Sequence, residues 1–488
     1  MNAFRVGALG LLGLLVVAAP ATSQDELATG DPVPPPALTP VEEGLLFPIE
    51  VIFTNLPGDP SSEVPGLPGV HFGPGTGSTH FDRPFGSPNG NWILSADTDL
   101  PTTEDEVILV NGALAAREGT AAPWAVGENV GLIDTKLGIN DSGNWVFATN
   151  TDGPTTADEY MVSVVGGVFA AAAQEGQAGP LGGSTWGSTI DSGVVASDNT
   201  IGLSSDALLG VPTTEDDVLV LGATLLAQEG MTIPQGQLGT EFWENFDVDD
   251  FWISADGSTW LAQGDLTGDT LTDGIVAVDS GLAEGGGGVV VQEGVVLAGS
   301  GFAEPVDTSG IVGVSMDPAG GWFVRGNNDV SEQDWIYRNG AVLATLGDPI
   351  LHGSAESWTD AEFSDCFFLH VGSSSGNYVL GGVSDGPTPT NGVLVLNQSI
   401  AFVRESDPVD LDGNGLFDDD VFFNTFGNDD GVLTDDGLFY FTATLKNGAG
   451  TVIGQGYFVA DLSSIGTPIF EDGFETGDTS AWSSQTGG

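Results

Sequence analysis

The 488-residue sequence predicts an all-β fold, a seven-bladed β-propeller of four-stranded antiparallel blades closed by an N-terminal strand. Three observations predict it. A glycine-centred polar turn recurs seven times, a Glu-Gly motif alternates with it, and the apolar runs between them are short, β-branched and without helical period.

The first motif is a polar turn followed by an apolar run that usually begins with an aromatic residue. Its centres are Gly90, Gly143, Asn199, Gly257, Gly320, Gly376 and Gly437. Trp92, Trp145, Trp260, Trp322, Tyr378 and Phe439 follow six of them, and Ile201 follows the third. The intervals are 53, 56, 58, 63, 56 and 61 residues, so seven copies fill the chain after its first few dozen residues. The second motif reads Arg117-Glu118-Gly119, Gln174-Glu175-Gly176, Gln228-Glu229-Gly230 and Gln292-Glu293-Gly294, with looser versions ending in Gly347-Asp348-Pro349 and Ser406-Asp407-Pro408. Asn111-Gly112 and its counterparts precede it between two apolar runs, which is a hairpin signature. One unit therefore has four strands. Strand A ends at the polar turn, strand B carries the aromatic, a loop leads to strand C, and a tight hairpin leads to strand D. Such units repeated about an axis make a propeller.

The segment from Ile49 to Pro60 resembles the end of a unit, whereas the last unit, after Gly437, has no strand D of its own. The N-terminal strand is therefore expected to complete the last blade and remove the exposed edges. Residues 1–23 read as a secretory signal, with Arg5 before the apolar run Gly7–Ala19 and small residues at Ala19, Ala21 and Ser23. Residues 24–44 form a Pro-rich linker, 45–462 the propeller, and 463–488 a tail. No later stretch is apolar and long enough for a membrane helix. An exported chain whose one cysteine, Cys366, lies in a strand-like run has no internal disulfide, and Cys366 reads as a buried structural thiol.

Lys+Arg number 8 against 69 Asp+Glu, a formal charge of -61. That charge excludes electrostatic binding to nucleic acid or to an anionic membrane surface. It does not imply disorder, because 40% of the residues are hydrophobic and 11 Trp and 26 Phe can build a core.

The sharpest chemical signal is Asp410-Leu-Asp412-Gly-Asn414-Gly-Leu416-Phe-Asp418. Calcium takes six to eight oxygens at about 2.3–2.6 Å. Side chains at loop positions 1, 3, 5 and 9, with the Leu416 carbonyl at position 7, supply them. Val421 stands where an EF-hand has its bidentate Glu, and Asp419 and Asp420 are the nearby replacements. A degraded copy runs through Asp265, Asp269 and Asp273, with Thr267 as a poorer ligand. The loops between strands B and C are also acidic. They and the Asp410 loop, a D–A connection, are expected on one face of the ring. His71, His80, His352 and His370 form no zinc pattern. Arg83, Arg117, Arg325, Arg338 and Arg404 show no spacing that suggests a cluster. Ser254-Ala-Asp256-Gly257-Ser-Thr-Trp260 reads as a structural hairpin turn, similar to the Asp box of sialidase-type propellers with one residue missing.

Asn140-Asp-Ser-Gly143-Asn-Trp-Val-Phe147 resembles the repeat of bacterial exported "choice-of-anchor tandem repeat NxxGxxAF-containing" proteins. Ala116-Arg117-Glu118-Gly119 and Gly58-Asp59-Pro60 resemble a further segment of that family. The resemblance spans roughly residues 45–460 and implies export and repeats, with no catalytic residue. Other copies replace Asn140 by Ser, Asp or Thr.

The functional expectation is a secreted or cell-surface, non-enzymatic binding or display module that calcium stabilises and that takes an extracellular glycan or protein. The alternatives are a carbohydrate-active enzyme, glycoside hydrolase or lyase, and a structural cell-surface or matrix subunit. Two carboxylates about 5 to 10 Å apart in a cleft favour the enzyme. A loop rim without buried acid favours the binding module.

Overall fold

The computed structural model describes residues 48–73, 80–247, 250–279, 286–360 and 365–463, all within the unit Leu45–Gly488. The expected signal segment, the linker and the tail beyond residue 463 lie outside the described residues. The described chain forms seven four-stranded antiparallel sheets. Six are meanders of consecutive strands. Their innermost strands A are Phe85–Gly86, Val130–Ile139, Asp191–Val195, Phe251–Ile253, Val306–Met316 and Phe367–Gly372. The seventh blade is built from Phe422–Leu433, Leu438–Lys446 and Val452–Asp461, and its outermost strand is Ile49–Thr54 from the other end of the chain.

Strand B shows how the blades pack. Side chains alternate between the faces of a sheet, so consecutive residues enter the cores on opposite sides of a blade. Ile93 packs toward blade two and Leu94 toward blade seven. Phe147 and Val146 divide in the same way between blades one and three, and Phe323 and Val324 between blades six and four. The result is seven buried clusters, one at each interface between neighbouring blades. Each aliphatic or Phe side chain buried there is worth about 1.5–3 kcal/mol relative to exposure.

The seven turn centres all lie between strands A and B, and all have φ between +69° and +89°. This is the left-handed region, which favours Gly and tolerates Asn. In each turn the centre's N–H donates to the carbonyl three residues back, as from Gly143 to Asn140 at 2.9 Å. The turns also tie the blades into a ring. Asn91 Nδ2 donates to the Asn140 and Asp141 carbonyls, and Asn140 Nδ2 donates to the Ala196 carbonyl at 2.8 Å. The Ser197 N–H donates to Ala255, and the Ala255 N–H to Pro318. Arg338 Nη1 reaches the Gly376 carbonyl, the Ser374 N–H reaches Asp435 Oδ1, and the Asp435 N–H donates to Pro88. The Asn of the repeat is therefore a brace. Its Oδ1 accepts from Ser142 and Asn144 while its amide nitrogen grips the next blade.

The Glu-Gly motif is the second joint. Gly119, Gly176, Gly230, Gly294, Gly347 and Ser406 have φ between +64° and +87°. Each donates its N–H to a carbonyl in strand A of the next blade or in the segment that leads into it, as Gly119 does to Val130 at 2.8 Å. The preceding glutamines cap the B–C loop of their own blade. Gln228 Nε2 bonds the Glu215 carbonyl, and Gln292 Nε2 bonds Thr272, both at 2.8 Å.

Closure follows the sequence expectation. Ile49 pairs with Ala460 and Thr54 with Gly456, with an irregularity between Val51 and Phe53. Phe53 enters the core between blades seven and one, against Phe72, Trp92 and Tyr457. Gln455, on strand C of blade seven, locks three segments. Its Oε1 accepts from His80 and Phe81 of blade one, its N–H donates to Asn55 Oδ1 at 2.7 Å, and its carbonyl accepts from Asn55.

Removing residues 24–57 should leave the Val452–Asp461 edge unpaired and drive self-association, read by light scattering; a monomeric truncation of unchanged melting temperature would refute closure by this strand. Gln455→Leu removes the acceptor for two buried N–H groups, each costing about 1–3 kcal/mol when left unpaired, so its chemical unfolding midpoint should fall clearly below wild type.

Candidate functional site: the loop face and the axial channel

Antiparallel meanders put the A–B and C–D turns on one face of the ring and the B–C and D–A loops on the other. The turn face is knitted together as described. Among the described residues, the exposed large apolar side chains gather on the loop face. They include Val126, Met231, Leu238, Phe242, Leu271 and Phe417, and only Val165 and Val168 sit at a C–D turn.

All seven strands A line an axial channel. Toward the turn face its wall is apolar, formed by Ile139, Val195, Ile253, Met316, Val371 and Leu433. Toward the loop face it opens into a charged mouth of about 290 Å³ bordered by Arg83, Lys136, Asp247, Asp250, Asp429 and Asp430. Arg83 and Lys136 lie over the Trp252 ring, at 4.8 and 3.6 Å from its centroid, and over Phe85 at 5.7 and 5.2 Å. Such stacking fixes the orientation of the two cations. Burial pushes the Asp250 carboxyl up to about 7, against the opposing pull of Lys136 and Arg83. Asp430 is also pushed up to about 7 by burial, despite accepting from Thr442 Oγ1 at 2.7 Å.

Arg325 stands behind this wall. Its Nη2 donates to Asp429 Oδ2 at 2.8 Å, and its Nη1 donates to the Phe367 carbonyl and to Asn428 Oδ1. One buried guanidinium thus joins blades five, six and seven. His370 Nδ1 lies 3.6 Å from Asp429 Oδ1, but burial lowers the ring to about 3, so the pair is not an ion pair at neutral pH.

Beside the mouth, between blades one, two and three, an acidic cleft of about 560 Å³ is bordered by Asp82, Asp97, Glu106, Asp134, Glu159 and Asp191. Burial raises Asp82 to about 6 and Glu106 to about 8, although Glu106 Oε2 accepts from Ile133 at 2.8 Å. Asp191 is raised to about 8, by burial first and then by its hydrogen bond to Asp134. The loop rim therefore does contain buried acid, contrary to the pattern expected of a plain binding rim.

The Asp410 loop is a D–A connection on this same face. Carboxylate oxygens of Asp410, Asp412 and Asp419 lie within 4.8 Å of one another. Asp419, one of the nearby replacements expected from the sequence, belongs to this group, and Asp418 does not. Asp410 accepts from the Gly415 N–H at 2.7 Å, and Asn414 spends its amide on Asp412 Oδ2 and the Leu416 N–H. Leu416 is exposed. Asp265 ends strand B of blade four, Asp269 and Asp273 lie in the loop after it, and the three form no such group among the described residues. Asp265 accepts from Asn245, and Asp269 from the Leu271 N–H. A convergent set that the sequence reading missed is Asp216, Asp217 and Glu229. Glu229 is the Glu of the Glu-Gly motif, and it accepts from the Asp216 and Asp217 N–H groups.

The arginines divide in a way that spacing did not show. Arg117, Arg338 and Arg404 pair with Glu104, Asp317 and Glu356, whereas Arg83 and Arg325 come to the channel with Lys136. They arise from blades one, two and five, and only ring closure brings them together. Cys366 is fully buried with its thiol pushed up, as expected of an inert thiol. Ser254 and Asp256 hold their own turn, Ser254 Oγ donating to Asp256 Oδ1 at 2.7 Å.

No protein-family model and no curated protein matches the chain. Solved structures with a similar fold include a subtype N11 neuraminidase-like protein of A/flat-faced bat/Peru (H18N11), at 8% identity and TM-score 0.30, covering 67% of this chain and 86% of that one. Prolyl oligopeptidase B from Galerina marginata matches at 10% identity and TM-score 0.35, covering 78% of this chain and 47% of that one. The α-L-arabinanase of Penicillium chrysogenum matches at 12% identity and TM-score 0.27, covering 85% and 99%. At such identities and scores these proteins say nothing of what this chain does.

The raised carboxyls predict an inverted pH profile. Asp82, Glu106, Asp191, Asp217, Asp250, Glu293 and Asp430 all hold protons more tightly when folded. Between their unfolded values near 4 and folded values of about 6 to 8, the folded state binds more protons, so stability falls as pH rises. In chelator at constant ionic strength the melting temperature should be higher at pH 5 than at pH 8, and Asp191→Asn should flatten the slope. A melting temperature that rises steadily from pH 5 to 8 would contradict this electrostatic picture.

Proposed function

We propose that the chain is an exported, non-enzymatic binding module that engages an extracellular glycan or protein through its loop face, with calcium holding the Asp410–Asp419 loop. One observation carries this reading. Among the described residues, the loop face holds the charged channel mouth and all but two of the exposed large apolar side chains, while the opposite face is committed to turn-to-turn bonds. Loops on a rigid scaffold are where recognition usually sits, and exposed apolar groups rimmed by polar ones mark contact surfaces. The resemblance of the Asn-x-x-Gly turns to exported repeat proteins fits the extracellular setting.

Binding to immobilised polysaccharides and extracellular matrix proteins tests this. Phe242→Asp with Leu271→Asp should abolish retention, while Val165→Asp with Val168→Asp on the turn face should leave it intact. Equal behaviour of the two double variants would refute a loop-face site.

A second reading, a glycoside hydrolase, has its own support in the acidic cleft. Glu106 and Asp191 keep protons near neutral pH beside other carboxylates, a distribution that acid and base roles require. Release of reducing ends from a polysaccharide panel, lost in both Glu106→Gln and Asp191→Asn, would establish it in place of the binding module.

For calcium, the three converging carboxylates are the motive. A ligand that binds only the folded state adds about 2.7 kcal/mol at one hundred times its dissociation constant. Millimolar calcium should therefore raise the melting temperature more than magnesium, which needs a more regular octahedral shell. Asp412→Ala should remove most of that gain and leave the general salt effect. An identical response of wild type and variant would make the loop an acidic turn only.

A further inference from the structure

Arg83 differs from every other arginine in the described chain. Arg117, Arg325, Arg338 and Arg404 each have a carboxylate within 3.8 Å. Arg83 has none, and among the described residues it makes no hydrogen bond. Its closest contacts among the described residues are the faces of Trp252 and Phe85, and it acts on the Asp250 and Asp430 carboxyls through space without a direct ion pair. In a chain with 69 acidic residues and 8 basic ones, an arginine without an ion pair is the exception. It is also placed at the mouth of the axial channel, with its Nε buried and unsatisfied.

We propose that the channel mouth binds a monosaccharide-sized ligand carrying one carboxylate and several hydroxyls, a uronate unit, with Arg83 receiving the carboxylate. The proposal rests on the loop-face reading and names the ligand class for its centre. A guanidinium offers a planar fork of donors that matches a carboxylate bidentately. Trp252 and Phe85 fix the plane of that fork and add apolar surface for the ligand's C–H face. Asp247, Asp430 and Asn428 on the remaining wall suit hydroxyl groups, which both donate and accept. The space, about 290 Å³, fits one sugar ring and not a long segment. The surrounding acids select against a more highly charged group. A phosphate or sulfate dianion would face Asp429 and Asp430 at close range, whereas a single carboxylate is matched by one guanidinium.

The test is calorimetric titration of the full mature chain with D-glucuronate and D-galacturonate, against D-glucose, D-galactose and glucose 6-phosphate. At least one uronate should bind with saturable heat, at least tenfold more tightly than its neutral counterpart and than the phosphate ester, and more weakly as salt rises. Arg83→Met keeps the apolar stem over Trp252 and should lower uronate affinity at least tenfold. Arg83→Lys should retain part of it. Near-UV circular dichroism and elution volume should be those of wild type for both variants. Uronate binding that Arg83→Met does not change, equal binding of uronate and neutral sugar, or no binding of either uronate would each overturn the proposal. The broader reading is judged separately, because polymer retention through Phe242 and Leu271 survives in Arg83→Met if only the uronate assignment fails.

Discussion

Everything in this structure depends on the pairing of Ile49–Thr54 with Val452–Asp461. Seven sheets that each bury one face against the next form a row with two raw ends, and a row exposes backbone donors and acceptors at both. Bending the row into a ring turns the two ends into one more interface. That interface then has the same construction as the other six, an apolar cluster between neighbouring blades, here built from Phe53, Phe72, Trp92, Tyr440 and Tyr457. Gln455 supplies the specificity, because its amide and backbone bond the N-terminal strand and blade one at the same place. A chain with one cysteine can close this way without a disulfide.

Closure has a chemical consequence at the axis. Strands A converge there, and whatever their side chains carry is brought into one small volume. Most of the ring is acidic, yet Arg83, Lys136 and Arg325 meet at the channel. Arg325 is spent on holding three blades. Lys136 and Arg83 are stacked on aromatic faces, an arrangement that fixes their orientation beside the space they border. The turn face is occupied by its own hydrogen bonds, which leaves the loop face as the side with chemistry to offer.

The same convergence sets the electrostatics. Carboxyls such as Asp191 and Glu106 are held where burial outweighs local hydrogen bonding, so they keep protons that an exposed acid would lose. Others, such as Asp256 and Asp461, accept bonds within their own turns, which holds them below the usual range. Burial and local hydrogen bonding thus move carboxyls of this acidic chain in opposite directions. The -61 charge counts all of them as ionised.

Periodicity determined the architecture from the sequence alone. A turn that needs positive φ leaves a Gly or Asn in the chain, and an aromatic that starts strand B follows at fixed distance, so strand order, blade number and the closing strand were all legible. The Asp410 loop was legible as a candidate because its acidic residues are close in sequence, although the convergence of Asp419 with Asp410 and Asp412 depends on how the loop folds back onto Leu411. What sequence spacing could not show is any group assembled across blades. Arg83, Lys136 and Asp430 are separated by 53 and 294 positions along the chain and meet only because the ring closes. The joining of Glu229 to Asp216 and Asp217, strand D to loop, likewise required the blade. Local backbone demands are written residue by residue, whereas a site at the axis of a ring is a property of the closure.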